Sequence, residues 1–246
     1  MMRRLAILAV LLAVCASARA SGPMMLLTMM DASASTVTGL VARWTFSTDA
    51  LDTSGNGYNA TLTNGAAVTG GSLLLDGTND YAIVADSDAL TPTNGITISC
   101  WYKANALPDA GLIKVILSKE DAGNNRAFYL GFLEANQYIF LTSSNGTDIA
   151  DSRYALTITT GVWHHVAASL SGTNLVIMHD GASQARTGGT SPYVAAPIFN
   201  NTASVRIGAR RATAIEFFDG RIGKVDIYNY ALTTNAIIAI YNGGSP

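Results

Sequence analysis

Between Leu40 and Tyr228 the sequence is a series of short apolar runs, each cut off by Gly, Asn, Asp or Ser. Runs of this length suit strands and fall short of a stable helix. Leu40–Phe46, Tyr58–Leu62, Ser72–Leu75, Tyr81–Val84, Ile96–Lys103 and Ile113–Ser118 are read as strands. So are Ala127–Leu133, Gln137–Thr142, Val162–Leu170, Asn174–His179, Ser204–Ile207 and Gly220–Tyr228. Gly55-Asn56-Gly57, Asn64-Gly65, Asn145-Gly146 and Asp180-Gly181 supply residues that tolerate positive φ between them. Within Val162–Leu170, alternation puts Val162, His164, Val166, Ala168 and Leu170 on one face and Trp163, His165, Ala167 and Ser169 on the other. Both faces are fairly apolar, as expected of strands inside a layered sandwich. The pattern predicts an all-β sandwich with one short C-terminal helix. Thr233 or Thr234 caps that helix, Ile237, Ile238 and Tyr241 give it an apolar stripe, and Asn242-Gly243 ends it.

The first twenty residues follow a different rule. Arg3 and Arg4 precede an uncharged, mostly apolar run from Leu5 to Ala16, and Ala18-Arg19-Ala20 places small residues at a cleavage position. Residues 1–20 are therefore read as a secretory signal peptide cleaved after Ala20, with a secreted, extracellular or cell-surface destination. The run is too short for a bilayer, which needs roughly 20 apolar residues. Val14 precedes Cys15 where a bacterial lipobox wants Gly, Ala or Ser, which argues against a lipid anchor. Residues 21–38 form a leader with a second apolar patch, Met24–Met30, read as mobile or as a surface for partner docking and self-assembly. Residues 39–246 show no Pro- or Ser-rich linker and no repeat, and are read as one domain.

Cleavage removes three of the 15 basic residues and none of the 17 acidic ones, so the formal charge falls from −2 to −5. A basic surface for nucleic acid is excluded on that balance. Of the two cysteines only Cys100 stays in the mature chain, inside the apolar run ITISCWY, and it is read as a buried, inert thiol.

The motifs from residue 40 to 243 fall in an order that resembles the laminin-G-like, concanavalin A-like lectin/glucanase jelly-roll family. Trp44-Thr45-Phe46 resembles its opening W-x-F strand, and Asp52-Thr53-Ser54-Gly55-Asn56-Gly57 its D-x-SGNG loop. Leu75-Asp76-Gly77 with Asp80-Tyr81, the strand Ile96–Lys103 and Trp163-His164-His165-Val166-Ala167 are similar to later family strands. Asp180-Gly181 matches the hairpin that follows, and Gly220-Arg221-Ile222 through Tyr228-Asn229 and Ala231-Leu232 its closing strand and helix entry. The resemblance implies a jelly roll of two antiparallel sheets. It leaves function open, because this fold hosts lectins, glycosidases, adhesion modules and spacers.

Glycoside hydrolysis uses two carboxyl groups about 5–10 Å apart. Enzymes of the resembled fold carry them on one strand as E-x-D-x-x-E or a close variant. The only Glu residues here are Glu120, Glu134 and Glu216, and none has an acid two residues away on a strand. Glu120-Asp121 are placed in a turn, and the acids are read as solvated surface groups. There is no G-x-S-x-G elbow and no phosphate-binding G-x-x-x-x-G-K-[ST]. His164 and His165 lack zinc spacing such as H-x-x-x-H, and are read as structural. The chain is therefore read as a non-enzyme.

The resemblance also implies a structural Ca²⁺ between opening loop and closing strand. Asp52 and Asn56 are the calcium candidates. Gly223 and Lys224 stand where the family has acids, so Asp52 is read first as a turn-capping residue. Asp226, displaced by three residues, should face the other side. For a sugar site, an aromatic platform with a few polar groups is wanted. Trp44, Trp101 and Trp163 are assigned to core packing, which leaves Tyr129, Tyr154 with Arg153, Tyr193, Arg210 and Glu216 as the ligand-binding candidates. The expected function is a secreted, non-catalytic binding module for glycan or for a cell-surface or extracellular protein. The alternatives are a structural protein of a cell surface, appendage or virion, and a glycoside hydrolase with an unfamiliar site.

Overall fold

The computed structural model describes residues 38–134, 136–190, 197–211 and 216–244. The signal segment, the Met-rich run 24–30 and Tyr193 lie outside them. The described residues belong to one unit, Thr36–Pro246. In chain order the strands are β1 (Leu40–Trp44), β2 (Thr61–Thr63), β3 (Ala67–Thr69), β4 (Ser72–Asp76), β5 (Tyr81–Val84), β6 (Gly95–Ala104), β7 (Ile113–Asp121) and β8 (Asn125–Leu133). They continue with β9 (Gln137–Thr142), β10 (Ala150–Ala155), β11 (His164–Ser171), β12 (Asn174–His179), β13 (Ala182–Gln184), β14 (Gly188–Gly189), β15 (Val205–Ile207) and β16 (Asp219–Tyr228). A helix, α1 (Thr234–Gly243), follows.

Two antiparallel sheets result. The first runs β13-β12-β11-β6-β16-β4-β3, with β1 also paired to β16; the second runs β14-β10-β9-β8-β7-β15-β5-β2. Alternation along each strand sends one set of side chains between the sheets. Ile98, Cys100 and Tyr102 of β6 meet Phe128, Leu130 and Phe132 of β8 there, with Trp44, Tyr138, Phe140 and Val166. Trp44 is fully buried and its indole N–H donates to the Tyr58 carbonyl at 2.7 Å. Cys100 is buried, and desolvation holds its thiol well above its ordinary pKa, so it stays protonated.

The helix forms where the sequence placed it. The Thr233 hydroxyl caps it by accepting from the Ala236 N–H at 3.3 Å. Ile237 and Leu232 pack with Ala167, Met178 and Tyr228 on the outer face of the first sheet. Burying Ile237 contributes about 1.5–3 kcal/mol. Tyr241 stacks on Trp101 at a ring distance of 5.5 Å. Trp101 is thus buried under the helix rather than between the sheets. Trp163 precedes β11 and is half-buried, and its neighbour Val162 is exposed, so that strand starts two residues later than the alternation suggested.

Candidate functional site

The outer face of the second sheet gathers four of the expected ligand residues. Asp151, Leu141, Tyr129, Ser118 and Arg206 pair in register across β10, β9, β8, β7 and β15. The loop before β16 lays Arg210 over this line, its guanidinium 4.8 Å from the centre of the Tyr129 ring. Arg210 donates to Glu120 at 3.0 Å and to Glu216 at 2.9 Å, and Arg126 donates to Glu120 at 3.1 Å. Arg153 donates to Asp151 at 2.7 Å. Glu120 was expected in a turn as a solvated acid; it sits on β7 and is fully buried. Two guanidinium groups make that burial tolerable. Burial works against the charge on Arg210, but its hydrogen bond to Glu120 and the nearby negative charge of Glu120 and Glu216 together outweigh it and hold the guanidinium above its ordinary pKa. Glu134, by contrast, is an exposed turn residue at φ 59°. The polar groups of this face largely satisfy one another, so a ligand here would displace bonds already made.

The edge beside that face is different. β10 and β14 border one sheet and β12 and β13 the other, and a cleft of about 260 Å³ lies between them. Ser152 and Tyr154 line it from β10, Asn174 and Leu175 from β12, Thr173 from the β11–β12 turn, and Gln184 and Arg186 from β13 and the residues after it. Alternation separates Tyr154 from its neighbour Arg153: the tyrosine faces inward and is buried, while Arg153 faces out. Burial pushes the Tyr154 hydroxyl pKa up, while a hydrogen bond with Ser152 and the charge of Arg186 act the other way. The cleft therefore offers two side-chain amides, hydroxyls, one guanidinium and an apolar Leu175. Amides and hydroxyls both donate and accept, the capacity a polyhydroxylated ligand needs.

A third cluster lies between the sheets near their rim. His164 Nδ1 is 2.8 Å from Asp180 Oδ2, and His179 Nε2 is 3.4 Å from the same oxygen. Asp180 Oδ1 accepts the His165 N–H at 2.7 Å. Burial opposes the charged form of Asp180, but the bonds from His165 and His164 and the neighbouring rings outweigh it and keep the pKa below its ordinary value. His165 points to the opposite face, with Nε2 2.8 Å from Ser99 Oγ, so the adjacent histidines do not act together.

The loop around Asp52 does not fit calcium. Asp52 Oδ1 accepts from the N–H groups of Arg43 and Ser54 at 2.9 and 2.8 Å; Oδ2 accepts from the Tyr58 N–H at 3.0 Å and the Ser54 hydroxyl at 2.8 Å. Asn56 turns its amide N–H toward the Val41 carbonyl at 2.8 Å. Hydrogens surround the carboxylate where a calcium ion needs oxygen ligands. Asp226 faces away from the core and takes two bonds from Arg43, at 2.7 and 2.8 Å.

Sequence reasoning missed most of the cleft. β10 and β14 were not foreseen, because ADSRYA alternates polar and apolar residues weakly and β14 is two glycines. β13 forms the second arm of the hairpin that Asp180-Gly181 announces.

A family model described as the concanavalin A-like lectin/glucanases superfamily matches residues 76–238. No curated protein sequence matches the chain. Among solved structures, domain 4 of AbnA, a GH43 extracellular arabinanase from Geobacillus stearothermophilus solved with arabinotriose, superposes with TM-score 0.65 at 20% identity, covering 82% of this chain and 98% of that one. The binding domain of Paraclostridial Mosquitocidal Protein 1 gives 0.66 at 17%, covering 83% of this chain and 52% of that one. Trypanosoma rangeli sialidase gives 0.62 at 17%, covering 82% and 32% respectively. The likeness at these identities is one of fold. The chain spans nearly all of the arabinanase domain, about half of the toxin domain and about a third of the sialidase.

Proposed function

This chain belongs to the concanavalin A-like lectin/glucanases superfamily, and from that premise we propose that it is a secreted, non-catalytic module that binds glycan in the cleft beside Tyr154. The chemistry of that cleft carries the reading. Among the described residues its lining is Ser152, Tyr154, Thr173, Asn174, Leu175, Gln184 and Arg186: amides, hydroxyls, one cation and one aliphatic wall, without a carboxyl group. Amide and hydroxyl groups match sugar hydroxyls, and Arg186 adds a preference for acidic sugars. A glycosidase needs two carboxyl groups at the bond it cuts. A cleft of about 260 Å³ suits about one sugar ring, so binding would be to a chain end or a single unit of a longer glycan. Secretion rests on the Arg3-Arg4 start, the apolar run and the small residues before Ser21. The fold likeness to the arabinanase domain solved with arabinotriose is in keeping with this reading.

Screening the mature chain on a glycan array tests it. Binding to a related set of oligosaccharides, with no release of reducing sugar, is the expected result. Absence of any binder at millimolar sugar contradicts it.

A further inference from the structure

We propose that His164 Nδ1, His179 Nε2 and Asp180 Oδ2 form a binding site for a divalent transition-metal ion of the zinc type. The backbone brings them together. β11 and β12 pair with Val166 opposite His179, so His164, two residues earlier, projects from the same face as a diagonal neighbour. At the end of β12, Asp180 takes φ 47°, and its carboxylate reaches both rings. The three ligand atoms all lie within 4.8 Å of one another. Around a four-coordinate zinc with bonds of about 2.1 Å, ligand atoms stand about 3.4 Å apart. The separations of 2.8 and 3.4 Å from Asp180 Oδ2 lie near that spacing, and the two ring nitrogens, within 4.8 Å of each other, would draw together on the ion.

The far side of each ligand is what distinguishes this cluster from histidines merely packed in a core. His164 Nε2 lies 3.0 Å from the Thr159 carbonyl, which can only accept. Nε2 therefore carries a proton whether or not metal is bound, while the Nδ1 hydrogen that bonds Asp180 in the metal-free protein is the one an ion would replace. His179 Nδ1 lies 2.8 Å from the Tyr138 hydroxyl on the opposite sheet, which leaves Nε2 for the ion. Asp180 is held through its other oxygen by the His165 N–H. Each ligand is thus oriented by a second contact, as metal-binding side chains are. The side chains of both histidines are 11% exposed and that of Asp180 is 32% exposed, which gives an ion a route from solvent and leaves a fourth position for water. Two imidazole nitrogens select a transition metal over Ca²⁺ or Mg²⁺. The site is separate from the sugar cleft, and neither proposal depends on the other.

The test uses the untagged mature chain, stripped with chelator and titrated calorimetrically with Zn²⁺. Asp180→Asn keeps an amide oxygen for the His165 N–H and a side chain that tolerates positive φ, while removing the charged ligand. His179→Gln removes a nitrogen ligand, and circular dichroism checks that each variant folds. The expected result is one zinc per chain, a higher melting temperature with zinc, and affinity reduced at least roughly tenfold in both variants. Co²⁺ substitution should give the visible bands of a four-coordinate site. Failure to bind zinc, or equal binding by folded Asp180→Asn and His179→Gln, would overturn the proposal.

Discussion

The Tyr138 hydroxyl lies 2.8 Å from Nδ1 of His179, and the two residues belong to different sheets. The same hydroxyl also meets that of Tyr102, so a polar chain crosses the apolar core near the rim. Burial pushes the pKa of both phenols up, which keeps them neutral and able to donate. Tyr138→Phe removes the shared partner and leaves two buried polar groups unsatisfied. A loss of about 1–3 kcal/mol in a urea melt is expected.

Glu120 is the acid that the sequence placed wrongly and that the fold uses most. Replacing it with Gln removes the carboxylate shared by Arg210 and Arg126 at a buried position and leaves Arg210 with Glu216 alone. We expect Glu120→Gln to cost about 3–5 kcal/mol by denaturant unfolding. Glu216→Gln, at the half-buried end of the same network, should cost less.

Gly131 marks a close approach of two strands. A Cβ added there would stand 2.5 Å from the Lys114 carbonyl oxygen and 2.9 Å from Val115 Cα, both backbone atoms of β7. Gly131→Ala must therefore push β8 from β7, and a loss of about 1–3 kcal/mol is expected. The melting temperature of this variant, set beside that of Gly172→Ala in an open turn, separates crowding between strands from strain at positive φ.

Asp52 gives the pH dependence. Burial disfavours its charge, but the N–H groups of Arg43, Ser54 and Tyr58 and the Ser54 hydroxyl together hold its pKa below the ordinary 3.8. A folded-state pKa below the unfolded one means its stabilisation is complete above the unfolded value and is lost as pH falls through the folded one. The stability gap between wild type and Asp52→Asn should stay constant near neutrality and narrow once pH drops below 3.8. A gap unchanged in acid would contradict this account of the loop.

Much of the fold was legible in the sequence, for a physical reason. Buried strands such as Ile96–Lys103 carry their periodicity on both faces, and positive-φ turns such as Asp180-Gly181 announce themselves by residue type. Cys100 was placed in the core from its apolar run and Trp44 from its family-type strand motif; of the two cap candidates, Thr233 and Thr234, the structure uses Thr233. Sites were less legible because they are assembled across strands. Tyr154 and Arg153 are neighbours in sequence, yet face opposite sides of β10. His164 and His179 are fifteen residues apart, and only the pairing of β11 with β12 makes them neighbours. Glu120 read as a surface acid because its guanidinium partners are supplied by the residues after β15 and by the start of β8.

Glycan binding by the edge cleft depends on its two side-chain amides. Asn174 is exposed and Gln184 half-exposed, so Asn174→Ala with Gln184→Ala should leave the fold intact while removing both amides. The direct measurement is isothermal titration of the best array oligosaccharide into wild type and this double variant. Wild type should bind saturably and the variant at least roughly tenfold more weakly, equivalent to about 1.4 kcal/mol. Equal affinity for the two proteins would contradict it.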